Sequence, residues 1–146
     1  MSRDDEWHEN WARRSNDEVA AAWIEFEARD RSGETDMADH PAWWAADAMM
    51  GLSHDDPLRA LEICFRIAKS TDDPTVFEML GAGPLEDLLS NDPTLFDAIA
   101  FEAGCSPGLI EALRHTWQSS IPDEVWGRLQ DLLTPVPATP SGACPP

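Results

Sequence analysis

The sequence predicts an all-α fold, an irregular bundle of short antiparallel helices with HEAT- or armadillo-like helix pairs as a variant. Three observations carry that expectation. Seven of the twelve prolines (Pro41, Pro57, Pro74, Pro84, Pro93, Pro107 and Pro122) each open an apolar-periodic segment. Proline suits the first helical position, where its missing N–H would have no intrahelical partner anyway. Asp precedes Pro57, Pro74 and Pro93, and Ser106 precedes Pro107, so an oxygen able to cap the helix arrives with the proline. Between these starts, large apolar residues recur every three or four positions.

The elements follow in order. Ser15-Asn16-Asp17-Glu18 reads as a capping box, Ser15 being the cap and Glu18 its reciprocal partner. The helix it opens runs to about Asp30, with Val19, Trp23 and Phe26 on one stripe and Glu25 and Arg29 on another. Residues 31–39 read as a loop. A second helix, from Pro41 to about Leu52, carries the single charge of Asp47 and is apolar nearly all round, which predicts a central position. Trp43 and Trp44 point about 100° apart on such a helix and cannot share one narrow seam.

The third helix, Pro57 to about Lys69, sets Leu58, Leu61, Phe65 and Ala68 on its inner stripe beside Cys64 and Ile67. Arg59, Glu62, Arg66 and Lys69 hold its outer face. A short helix opens at Pro74 (Val76, Phe77, Leu80) and is closed by Gly81 as a left-handed cap; another opens at Pro84. Pro93 begins a helix with Leu95, Phe96 and Ile99 that ends at Gly104. Pro107 begins one with Ile110, Leu113 and Trp117 in register. Pro122 begins the last, with Val125, Leu129 and Leu132 in step and Trp126 alongside. The starts at 41, 74 and 107 are evenly spaced, a weak echo of helix-pair solenoids. Residues 1–14 read as a polar arm, 15–133 as one helical domain, and 134–146, rich in Pro, Ala and Thr, as a disordered tail.

Charge is the compositional outlier. Twenty-eight acidic and ten basic residues give a net charge of −18. Such a chain repels nucleic acid and anionic membranes and attracts a basic protein partner. No segment approaches the about 20 apolar residues that span a bilayer. The start, Met-Ser-Arg-Asp-Asp-Glu, has no apolar core of a secretory signal, so the expected compartment is the cytoplasm. Cys64, Cys105 and Cys144 are odd in number and lack CxxC spacing, which argues against a disulfide framework or a zinc site.

The candidate chemistry is sparse. His54-Asp55, with His40 upstream, invites comparison with helical metal-dependent phosphohydrolases, yet carboxylates directly before Pro57 are explained by capping. Glu111 and His115 stand at i, i+4, a spacing that serves a surface ion pair as well as two metal ligands. Gly81-Ala82-Gly83-Pro84 is glycine-rich, but it lacks the Lys-Ser/Thr and the preceding strand of a nucleotide loop. The carboxylate pairs Asp55/Asp56, Asp72/Asp73, Glu86/Asp87 and Asp123/Glu124 all fall at expected helix starts, which is where caps belong rather than acid–base machinery.

His40-Pro41-Ala42-Trp43-Trp44, Asp56-Pro57 and Gly81-Ala82-Gly83-Pro84-Leu85-Glu86-Asp87-Leu88-Leu89, completed by Trp117 and Val125-Trp126, resemble an uncharacterised bacterial family of small acidic all-helical proteins. The resemblance spans about 40–133 and implies an all-helical fold without implying any chemistry. The expected function is therefore a non-enzymatic acidic binding protein of the immunity-protein or antitoxin kind, needing no cofactor or metal. Its candidate partner contacts, taken from helical phase, are Glu62, Glu78, Asp97, Glu102 and Trp126. A HEAT-like scaffold is the first alternative. The second is a metal-dependent hydrolase using His40, His54 and Asp55.

Overall fold

A computed structural model describes residues 13–134, and every regular element among them is helical. Helix α1 (Asn16–Glu27) opens on the capping box as read from the sequence: Ser15 Oγ accepts from Glu18 N at 3.1 Å while the Glu18 carboxylate accepts from Ser15 N. Val19, Ala20, Trp23 and Phe26 face inward. The start of α1 is tied down by arginines of the third helix. Arg59 donates from Nε to Asn16 Oδ1 (2.8 Å) and from Nη2 to the Arg14 carbonyl (2.7 Å), and Arg66 pairs with Asp17.

A single helical turn, Met37–Asp39, interrupts the loop after α1, capped by Asp36. Helix α2 (Trp43–Asp55) starts two residues later than Pro41 suggests. The reason lies in His40, whose Nδ1 accepts from Ala42 N and whose carbonyl accepts from Trp43 N, both at 3.0 Å, so the turn that would be helical is closed by an imidazole. Asp55 thus lies at the end of α2, not at a helix start, and only Asp56 caps. Trp43 packs edge-on against Phe26 (5.5 Å between centroids), and Trp44 carries the Arg14 guanidinium over its face. The two indoles do serve different sides.

Helix α3 (Pro57–Ser70) has proline at its first position and Asp56 as cap, accepting from Arg59 N. Its buried face is Ala60, Ile63, Cys64 and Ile67, flanked by Leu61 and Ala68, while Leu58 is 68 % exposed. The expected stripe is rotated because α3 is covered by α1, α2 and α7 (Pro107–Leu113), so its buried arc is wider than one seam. Burial pushes the Cys64 thiol well above its usual range.

Helices α4 (Pro74–Leu80) and α5 (Glu86–Asn91) are joined by one widened turn, Gly81–Leu85, without a break. Gly81 is therefore not a left-handed cap (φ −69°, ψ −45°), and Pro84 lies inside the run rather than opening a new helix. A widened turn is where a helix can take a proline, which lacks the N–H and crowds the preceding turn. Gly81 serves a different purpose: a Cβ there would stand 1.8 Å from the Ala112 carbonyl oxygen, so its bareness lets α7 sit directly on the turn.

A turn at Pro93–Leu95, capped by Asp92, leads into α6 (Phe96–Ala103). Helix α7 is capped by Ser106, and α8 (Asp123–Leu133) has Pro122 at its cap rather than inside it. Between them Trp117 leaves the helical register expected for it and is 74 % exposed. Long-range bonds replace the helix: Thr116 Oγ1 donates to the Gly81 carbonyl (2.9 Å), and Glu86 accepts from Trp117 N (2.9 Å) and Ser119 Oγ (3.0 Å). Ser119 turns the chain at φ +44°. Glu86, in the first turn of α5, thus also clamps this loop. The expected arm 1–14 and tail 134–146 lie, apart from Arg13, Arg14 and Thr134, outside the described residues.

Candidate functional site

The chain has five methionines, and the four beyond position 1 all line one groove of about 330 Å³. Met37 comes from the turn before α2, Met49 and Met50 from α2, and Met79 from α4. Trp23 and Phe26 of α1 and Trp43 of α2 add aromatic walls, and Gly83, Pro84 and Asp87 form the side supplied by the widened turn and α5. Met49 is buried, but Met37 (49 %), Met50 (52 %) and Met79 (38 %) are exposed. Exposed thioethers meeting from three elements give an apolar, polarizable and deformable lining.

The charges around this lining are already organised. Arg29 lies with its guanidinium 3.8 Å from the Phe26 ring centroid, donates to both carboxylate oxygens of Glu34 (2.6 and 3.0 Å) and to the Phe26 carbonyl (2.8 Å). That pairing holds the Glu34 carboxyl below the usual range. Glu27 is 6 % exposed, and Arg31 Nη2 reaches it at 3.0 Å. Burial raises the Glu27 pKa, and Arg31 and Arg29 only partly oppose the shift. Asp87 is raised as well, first by burial and then by Glu86, with His54 pulling it back. Both arginines being paired, Asp87 is the remaining charged side chain of the lining and is exposed, and the net charge of −18 sets the sign of the wider field.

A second, more open cleft of about 530 Å³ gathers Glu78, Arg114, His115, Trp117, Gln118 and Trp126. Glu78 and Trp126, two of the five expected contacts, meet there. The other three lie elsewhere, each in an ion pair within the chain: Glu62 with Arg66 (3.0 Å), Asp97 with Arg128 (2.5 Å) and Glu102 with Lys69 (2.5 Å). His115 Nε2 stands 3.9 Å from Glu111. His54 Nδ1 faces Asn91 Nδ2 at 3.3 Å, and His40 is spent on the start of α2. Among the described residues no group of three or more His, Cys, Asp or Glu is placed to hold a metal ion, and no helix is long and apolar enough to cross a membrane.

Helical periodicity could not reveal the methionine groove, because its members sit on separate elements at 37, 49–50 and 79. The one sequence signal is indirect: Trp43, Gly83, Pro84 and Asp87, which belong to the two longest stretches carrying the family resemblance, converge on it.

The model of a family of unknown function, DUF6869, matches residues 32–135, and the chain belongs to that family. The match takes in every methionine of the groove and stops short of α1, which supplies Trp23 and Phe26. No curated protein and no solved structure matches the chain.

Proposed function

We propose that this member of the family is a non-enzymatic acidic helical binding protein, of the immunity-protein or antitoxin kind, that covers a basic protein partner through its methionine-lined groove. The observation that carries the reading is the convergence of the four methionines, three of them exposed, on one apolar groove of a strongly acidic chain. A net charge of −18 steers a cationic partner toward the surface and disfavours nucleic acid and anionic lipid. Once docked, apolar contacts set how long the complex lasts.

A non-catalytic role is supported by where the titratable groups are used. Asp56, Asp73 and Asp92 accept from backbone N–H groups at helix and turn starts, and His40 does the same. These are structural duties with geometry to match.

The test is capture from the native host at low salt, followed by association kinetics of each captured protein. A basic partner whose association rate falls several-fold as salt rises is expected. Captured proteins of acidic or neutral charge, or a rate indifferent to salt, refute the reading.

A further inference from the structure

We infer that the groove takes one amphipathic basic helix, laid with its apolar face on Met37, Met50 and Met79 and its lysines or arginines toward Asp87 and the acidic surface of the chain. The inference rests on the binding reading above and adds the shape and chemistry of the segment that is bound.

Three considerations select this occupant. First, an extended peptide gains affinity by adding to a sheet edge, and the described residues contain no strand to add to. A helix pairs its own N–H and C=O groups, so it can enter an apolar groove without leaving backbone groups unsatisfied. Second, the groove offers thioether side chains from three elements, not rigid branched ones. Unbranched methionines repack around leucine, isoleucine or phenylalanine projecting at helical spacing. Third, the charge of the occupant follows from which groups are free. Of the charged residues that line the groove, Arg29 and Arg31 are committed to Glu34 and Glu27, whereas Asp87 is exposed, and the chain as a whole carries a net charge of −18. An acidic or neutral apolar helix gains nothing from that charge. A second copy of this chain brings its own net charge of −18 and is repelled.

The experiment uses the full chain and three synthetic peptides. One is a leucine–lysine peptide with leucine at helical spacing, one has the same composition in scrambled order, and one replaces lysine by glutamate. Affinity is measured calorimetrically at low salt. In parallel, the ε-methyl signals of methionine labelled with carbon-13 are followed in the unmodified protein. The helical-phase lysine peptide should bind at least about tenfold tighter than the scrambled one, a difference of about 1.4 kcal/mol, and the glutamate peptide should not bind. The methyl signals of Met37, Met50 and Met79 should move. The combined variant Met37→Ser, Met50→Ser, Met79→Ser should lose about tenfold or more in affinity, while Leu58→Ser with Phe101→Ser, which removes exposed apolar surface outside the groove, should lose none.

Binding of both lysine peptides with unmoved methionine methyls, or equal affinity for helical and scrambled sequences, overturns the helix-in-groove inference. It leaves the wider reading of a basic partner standing. Failure of both lysine peptides to bind at low salt overturns both. The methyl signals come from the unmodified protein, so the outcome does not depend on the triple variant folding.

Discussion

Gly81→Ala should destabilise the protein even though alanine is the better helix former. Gly81 lies in the widened turn between α4 and α5 with right-handed backbone angles, so alanine meets no dihedral penalty there. Left to propensity alone, the exchange would gain about 1 kcal/mol. Packing reverses the sign. The added Cβ would stand 1.8 Å from the Ala112 carbonyl oxygen, 2.8 Å from its carbon and 3.1 Å from His115 Cβ. A carbon approaches a carbonyl oxygen no closer than about 3.3 Å, so the end of α7 must retreat by roughly 1.5 Å. Overpacking of this kind costs about 1–3 kcal/mol. The retreat also pulls Thr116 Oγ1 from the Gly81 carbonyl, a 2.9 Å bond between buried groups worth about 1 kcal/mol. Against the propensity gain, a net loss of about 1–3 kcal/mol remains. Gly127 in α8 is the control, since nothing lies within 4 Å of a Cβ there, and Gly127→Ala should stabilise by about 0.5–1 kcal/mol. Guanidinium unfolding followed by circular dichroism measures both changes, provided the slope with denaturant is unaltered. If Gly81→Ala is as stable as the parent, or Gly127→Ala falls as far, the close approach of α7 is wrong.

Further expectations concern acids and sulfur. Glu27 titrates above its usual range in the folded state, so its contribution to stability is whole below the ordinary carboxylate pKa and is lost as pH rises through the raised value. Glu27→Gln should therefore gain on the parent as pH rises above the ordinary carboxylate pKa, and unfolding midpoints that stay parallel as pH rises would contradict it. Asp73 accepts from Thr75 N at 2.9 Å, so Asp73→Ala should cost about 1 kcal/mol while Asp73→Asn, which also caps, recovers most of it. A harmless Asp73→Ala in thermal melts would remove the end-cap explanation. Dilute peroxide should convert Met37, Met50 and Met79 to sulfoxides well before Met49, which is 1 % exposed. Peptide mass mapping over time reads the order, and simultaneous oxidation of all four would mean that the groove is not built as described.

Legibility in the sequence followed the range of the interactions. Ser15, Asp56, Asp73, Asp92 and Ser106 each cap where the residues after them foretell. In every case the bond joins a side-chain oxygen to an N–H two or three positions on, and nothing distant can alter it. The pattern was less reliable where a side chain outside it, near or far, competed. At Pro41 an imidazole one residue upstream postponed the helix, and at Trp117 the Glu86 carboxylate drew the chain out of register. Of the contacts taken from helical phase, Glu62, Asp97 and Glu102 proved to be held by arginine or lysine of the same chain, which phase alone does not report.

The amino-acid order alone thus determined that the chain is helical, where most of its helices begin, and that its surface is strongly acidic, because caps, prolines and net charge act locally or by simple sum. Only the tertiary structure decided that α4 runs into α5 through a widened turn, that α3 buries a broad face, and that four methionines from three separate stretches of sequence share one groove. Those features arise from which helix rests on which, and a contact such as Gly81 against Ala112 has no signature in either residue's neighbourhood.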